Sequence, residues 1–463
     1  MKSEVTIENI QALFFKMEEY EDLFTLQIGD GIYFWDTIRS QIYLSLHTIY
    51  GGPFATPKTL VAKPMLTKVK NVAKSFVNMI SRRYLVTQAP KFIFITGQRI
   101  RHGTSLVDNI ADHLCDLVSK DAVAVELMNK AEISYWKLIS GGKTRVPQVA
   151  VRKIHGEIDI SHAVITISSL INKYFDVSID VYNLIAEPIT TFFENRNYYI
   201  KLFAMHRPNA VICINNGTLD GLFHAAKEMG VPVIELQHGA SSSKTIFWSY
   251  PQSIQSNHPG LSLPTAYLTY SDFWNDNTNY PVSMKRSIGS DYFHQELIAG
   301  KDDGVLIVSA YMYHEDLLGL AIELATLVEN KKIYYKLHPH QFSKMREVVA
   351  ACSGKGNIVV ICDELDFSQL YQRCNYVVGI HSTTLYIALQ AGKKVCLYKR
   401  SNYFWHDDIF EYVELFDDAS ELRNFFDNSS GKYFSKLHRA PIFFEPFDEK
   451  KYMQVLEDVN SHI

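Results

Sequence analysis

Residues 304–340 read GVLIVSAYMYHEDLLGLAIELATLVENKKIYYKLHPH. The apolar run GVLIVSA gives way to EDLLGLAIELATLVEN, where Leu, Ile and Ala recur at helical spacing, and then to a second apolar run, KIYYK. A strand, a crossover helix and a strand predict two parallel neighbours in one sheet. The second strand runs out into Lys336-Leu337-His338-Pro339-His340. Ligands bind beyond the carboxyl ends of such strands, so this polar ending marks a candidate site.

Outward from that unit the alternation continues. On the C-terminal side come the helix FSKMREVVAAC, the strand NIVVIC, the helix DFSQLYQRC, the strand YVVGIHS, the helix TTLYIALQAG and the strand KVCLYK. On the N-terminal side, KFIFITG is a strand followed by the loop QRIRHGTS and the helix SLVDNIADHLCDLVSK. DAVAVEL, NAVICINNG, VPVIELQHG and AYLTYS are further strands, and LDGLFHAAKEMG is a helix stopped by Gly230. SMKRSIGSDYF reads as the entry to a second domain. Before Leu85 the pattern is helical with breaks, as in IENIQALFFKMEEYEDLF and DGIYFWDTIRSQIYLSLHTIY.

The fold class expected is therefore α/β, with two Rossmann-like domains whose parallel sheets face a central cleft, plus a helical N-terminal region. The expected division is 1–85 for that region, 86–285 and 286–430 for the two domains, and 431–463 for a C-terminal segment packing back on the first.

The 463 residues are 47% hydrophobic and 21% charged, enough for more than one core. A net charge of -4 gives no global field to recruit nucleic acid. The six cysteines form no CxxC pair and four of them adjoin apolar runs, which suggests reduced thiols in a cytoplasmic protein. The first thirty residues lack a secretory pattern, and no run reaches the roughly 18 apolar residues of a spanning helix. From Lys58 to Arg83 the charges are all basic, and MLTKVKNVAKSFVNMISRRY can form an amphipathic helix for an anionic leaflet. A solvated helix face or linker explains the same pattern.

Four strand ends carry the candidate chemistry. At the first, Lys336 offers a point charge and His338 a donor for phosphate, while Pro339 holds residue 338 extended. At the second, Gly379-Ile380-His381-Ser382-Thr383-Thr384 places an imidazole and three hydroxyls at a helix start, where capping needs one hydroxyl and an anion can use the rest. At the third, Glu235-Leu236-Gln237-His238-Gly239 offers His238 as acid or base, against a structural histidine. At the fourth, Asn215-Asn216-Gly217-Thr218-Leu219-Asp220 offers Asp220 as a carboxylate, against a helix cap. Arg99, Arg101, His102, Thr104 and Ser105 form a polar loop suited to an acceptor glycan or to solvent, and Gly289 would let backbone approach a nucleotide phosphate. Signatures of P-loop NTPases, dinucleotide folds, zinc proteases and serine hydrolases are missing. So is a DxD triplet, which favours transfer without a metal or other cofactor.

At these residues the chain resembles bacterial GT-B-fold glycosyltransferases of capsule and lipopolysaccharide biosynthesis. KLHPH and HSTT look like the HP and S/T motifs of sialyltransferases, polysialyltransferases and Kdo transferases, and VPVIELQHG, YLTYSDFW and IGSDYF look like capsule and O-antigen transferases, over roughly 90–415. The resemblance implies a nucleotide-sugar donor on the second domain, CMP-linked sialic acid or Kdo-type, with Lys336, His338, Pro339, His381, Ser382, Thr383, Thr384 and Gly289 around it. It implies a glycan or lipid-linked glycan acceptor on the first domain, and a location in the cytoplasm or on the inner face of its membrane. Such enzymes carry an acidic pair followed by Gly, where this chain has Asn215-Asn216-Gly217, leaving Asp220 and His238 as alternative bases. A teichoic-acid-type polyol-phosphate transferase using a CDP-polyol, and a non-catalytic glycan-binding subunit of a polysaccharide assembly complex, are the rival readings.

Overall fold

Every strand of the two main sheets runs parallel to its neighbours, so each is reached by a crossover and most are apolar on both faces. The computed structural model describes residues 5–29, 31–52, 89–96, 100–102, 105–127, 145–148, 158–214, 219–294, 296, 298, 303–399, 407–428 and 440–461. The basic segment 58–83, Arg99, Thr104 and residues 215–218 lie outside them.

The N-terminal helices α1 (Ile10–Tyr20) and α2 (Trp35–Ile49) precede the first sheet. Its strands are β1 (Phe92–Thr96), β2 (Ala122–Leu127), β3 (Arg145–Gln148), β4 (Ala210–Cys213), β5 (Val233–Leu236), β6 (Ala266–Thr269) and β7 (Met284–Ser287), in the order β7-β6-β5-β4-β1-β2-β3. Its helices are α3 (Ala111–Leu117), α4 (Ser161–Phe175), α5 (Val181–His206) and α6 (Asp220–Met229). The second sheet has β8 (Gly304–Val308), β9 (Ile333–Lys336), β10 (Ile358–Ile361), β11 (Cys374–Gly379), β12 (Lys394–Tyr398) and β13 (Glu414–Phe416), in the order β10-β9-β8-β11-β12-β13. Among its helices are α7 (His314–Leu327), after β8, and α8 (Thr383–Gln390), after β11. Both orders reverse at a central strand, and the chain has a two-lobed α/β fold built on two parallel sheets.

The residues 284–287, expected at the entry to the second domain, form the edge strand β7 of the first sheet, with Ala266 opposite Met284 and Thr269 opposite Ser287. A strand of Met, Lys, Arg and Ser shows no apolar run because one of its edges is unpaired, and charge there discourages further pairing. The unread strand β3 is likewise an edge, and it carries Pro147.

One face of the first sheet is covered by α3 and by the C-terminal helix α9 (Glu449–Ser461), whose Tyr452, Val455, Leu456 and Val459 share a core with Phe94, Ile212 and Ile234. On the other face Tyr199, Leu202 and Phe203 of α5 and Leu222 and Phe223 of α6 pack on Ile93, Val211 and Val233. The N-terminal helices join α4, the start of α5 and residues 246–280 in a further aromatic-rich core. Among the described residues no helix is long and apolar enough to cross a membrane.

That N-terminal core encloses an ion pair. Arg39 and Glu18 are 2% and 0% exposed, and Arg39 donates to both Glu18 oxygens at 2.7 and 2.9 Å. The guanidinium also donates to the Ile246 and Ser249 carbonyls at 2.7 and 3.1 Å and lies 4.2 Å from the Tyr250 ring centroid. Trp35 Nε1 adds a bond to Glu18 at 2.8 Å. Removing one partner strands a buried charge, so Arg39→Met is expected to cost about 3–5 kcal/mol in urea unfolding, and Glu18→Leu added to it should restore part of the loss. A loss below about 1 kcal/mol would show the pair to be solvated.

Candidate functional site

The second sheet brings three strand ends to one edge. Val308 of β8 pairs with Lys336 of β9 and Ile307 with Val378 of β11, so Ser309, His338 and His381 follow neighbouring parallel strands at the point where strand order reverses. His338 is extended at φ -68°, ψ 144°, and Pro339 opens the 3-10 turn Pro339–Lys344. His340 N–H donates to His338 Nδ1 at 3.2 Å, which places the proton of the neutral ring on Nε2 and leaves Nε2–H as a donor. His338 N–H donates to Gln341 Oε1 at 3.0 Å, and Ser309 Oγ donates to the same oxygen at 2.8 Å. The loop is thus tied to the end of β8.

Burial, with His340 nearby, lowers the pKa of His338, and burial together with the His338 ring lowers His381 to about 4. Both imidazoles are therefore neutral near pH 7. They would gain charge only when an anion arrives.

The hydroxyls expected to act together are divided. Ser382 caps α8 by accepting from Thr384 N–H at 3.1 Å. Thr383 Oγ1 accepts from Ala240 N–H of the first lobe at 2.9 Å, and Thr384 is buried at 8% exposure, its carbonyl accepting from Tyr371 OH at 3.2 Å. Burial takes Thr384 out of the expected phosphate grip. Lys336 Nζ lies 5.6 and 6.0 Å from the Phe342 and Phe367 ring centroids, beside the Cys362-Asp363-Glu364 loop, and burial lowers its pKa.

Gly289 lies against the chain's C-terminal return. At φ +75°, a Cβ there would meet Pro446 O at 2.0 Å and Glu445 O at 2.7 Å, so the close approach that the structure shows is to the returning C-terminal segment.

From the first lobe, the loop after β5 meets α8. Gln237 pins it: its Nε2 donates to Gly239 O at 2.8 Å, and its Oε1 accepts from Tyr270 N–H at 3.0 Å. A Cβ on Gly239 would sit 3.1 Å from Thr383 Oγ1, so the backbones approach closely here. Lys244 and Asp407 add a second tie between the lobes at 3.4 Å. The His238 ring lies 5.5 Å from that of Trp248, its Nδ1 is buried without a hydrogen-bond partner, and burial pushes its pKa down to about 4.

Asp220 starts α6 and lines a cavity of about 20 Å³ with Asp36, Arg39, Ser40, Tyr250 and Tyr280. That space holds roughly one water. Burial, then Asp36 and Glu235, push the Asp220 carboxyl well above the usual range, away from the ionised form that a base needs. Of the two candidate bases, His238 keeps an accepting nitrogen and stands at the lobe junction.

Sequence reasoning missed Glu235, Trp248 and Gln341. Trp248 Nε1 and Tyr280 OH donate to Glu235 at 3.0 and 2.8 Å, and burial lifts this carboxyl to about 7. The signal was present as one acid inside the apolar run VPVIEL. Its pKa rises from 4.5 unfolded to about 7 folded, so the native chain holds a proton that the unfolded chain releases in that window. Its contribution to stability is accordingly complete below pH 4.5 and is lost as pH rises through 7. Glu235→Gln should gain stability relative to the parent by up to a few kcal/mol between about pH 4 and about pH 8 in matched urea titrations. A difference that does not change with pH would show that folding leaves the Glu235 pKa unshifted.

No family model matches the sequence, and no curated protein matches it. Among solved structures the chain is similar to MurG from Acinetobacter baumannii, at 12% identity over 80% of this chain and 100% of that one with a TM-score of 0.46. It is similar to Anabaena HepE in complex with UDP, at 10% identity over 80% and 100% with a TM-score of 0.44. It is similar as well to the UDP-GlcNAc 2-epimerase of Methanocaldococcus jannaschii, at 10% identity over 80% and 99% with a TM-score of 0.45.

Proposed function

We propose that this chain is a glycosyltransferase that moves a sugar from a nucleotide carrier to a bacterial surface glycan. The observation that carries the reading is the Ala240 N–H to Thr383 Oγ1 bond at 2.9 Å, which sets the His238 loop of one lobe against the helix start that carries His381, itself beside His338. In the transfer, His238 takes the proton of an acceptor hydroxyl, the hydroxyl oxygen bonds to the anomeric carbon, and the bond from that carbon to the phosphate oxygen breaks. The pair of electrons leaves with the nucleotide. His338 Nε2–H, His381 and the N-terminus of α8 meet the charge that grows on that phosphate.

Such a displacement inverts the anomeric centre and is proposed to need no metal, in keeping with a sequence that has no DxD triplet. The HP and S/T motifs favour a CMP-linked sialic acid or Kdo-type donor, and the acceptor is proposed to be a growing glycan or lipid-linked glycan at the cytoplasmic face of the membrane. A neutral His338 that donates from Nε2 suits a dianionic phosphate better than a neutral sugar, which favours transfer over simple glycan binding.

Incubation with CMP-, CDP-, UDP- and GDP-linked donors tests the reading. Consumption of a nucleotide sugar is expected, whereas consumption of a CDP-polyol alone would make the chain a polyol-phosphate transferase. With the donor that is consumed, His338→Ala should lower kcat on the order of 10²-fold with little change in acceptor KM. An unchanged kcat would remove His338 from the phosphate site.

A further inference from the structure

The N-terminal helices lie outside both parallel sheets, yet a continuous set of buried bonds runs from them to the cleft. Arg39 of α2, held by Glu18 of α1, donates to the carbonyls of Ile246 and Ser249, which bracket the turn carrying Trp248. The Trp248 indole is fixed at its other end by Glu235 of β5, at 3.0 Å from Nε1. Glu235 is 0% exposed and takes its second bond from Tyr280, whose ring lies 6.0 Å from that of Tyr250 in a stacked arrangement. Tyr250 in turn lies against the Arg39 guanidinium. Arg39 therefore secures the backbone of the turn, and Glu235 the side chain that the turn presents.

What Trp248 presents its ring to is His238, at 5.5 Å between centroids and 58° between planes. Indole is the largest wall a side chain can offer, and an imidazole beside it loses most of its rotational freedom. His238 Nδ1 has no hydrogen bond that could fix the ring in its place. Packing alone must do so.

We infer that Trp248 is the positioning residue of His238, and that the N-terminal helical region acts on the cleft through it, with Arg39 and Glu235 as its two anchors. This rests on the proposed role of His238 as the base, and it adds a function for the first 50 residues that neither sheet supplies. A base that must reach an acceptor hydroxyl at hydrogen-bond distance loses rate steeply when its ring can turn away.

The test is histidine-selective NMR of the full chain, with the His238 signal assigned by its loss in His238→Gln. Trp248→Ala should move the His238 pKa from about 4 toward the ordinary 6.5, as water reaches the ring. Trp248→Phe keeps a wall while releasing Glu235, and its shift should be smaller. On the donor identified by the panel, Trp248→Ala should lower kcat at least tenfold with donor KM held within about twofold. Trp248→Phe should recover most of that rate, which guards against mistaking general unfolding for lost positioning. A folded Trp248→Ala variant in which the His238 titration or kcat matches the parent would overturn the inference. Full turnover in His238→Ala would instead remove the base on which it rests, whatever the NMR titration shows.

Discussion

The cleft depends on a contact that is sterically exacting: the backbone after β5 lies against the first turn of α8, with Gly239 leaving room and Thr383 supplying the acceptor for Ala240 N–H. A side chain at 239 would press on that hydroxyl, its Cβ 3.1 Å from Thr383 Oγ1. Because both sheets are parallel, their carboxyl edges are where loops and helix starts collect, and joining the lobes at this point pools the polar groups of both. The Lys244–Asp407 pair and the packing of Trp274 on Tyr386 hold the lobes together around it. The crossing of the chain back through Pro446, pressed on Gly289, ties the second lobe to the first from the other side.

Burial governs the electrostatics at the junction. His238 and His381 are each pushed to about 4, whereas Glu235 is raised to about 7 and Asp36 to about 6. Desolvation is the first cause in each, and its effect is to remove charge of either sign. Neutral imidazoles beside a capped helix start offer donors to an anion without a fixed charge of their own. Phosphate entering beside His338 and His381 would draw protons onto them, strengthening the grip where charge increases during transfer.

Much of this was legible in the sequence. The units from KFIFITG to KVCLYK stood out because buried parallel strands are apolar throughout, and the crossover helices between them have a different period. His338, His381 and His238 stood out because they follow such strands directly. Edge strands β3 and β7 were lost, since one unpaired side frees a strand from the apolar rule. The fate of individual groups was also hidden: that Thr383 would bridge the lobes and that Asp220 would share a cavity with Asp36 are facts of packing between segments well over a hundred residues apart. Arg39 and Glu18 were illegible for the same reason, because a charged pair on two amphipathic helices reads as surface until the partner surface is known.

The most direct measurement is a crystal structure of the protein with CMP, the nucleotide that the proposed transfer releases. The account places a phosphate at the carboxyl edge of the second sheet, within hydrogen-bond reach of His338 Nε2 and the first free N–H groups of α8. Density for the phosphate at another edge, or a nucleotide lodged with its phosphate away from residues 338 and 382, would contradict it.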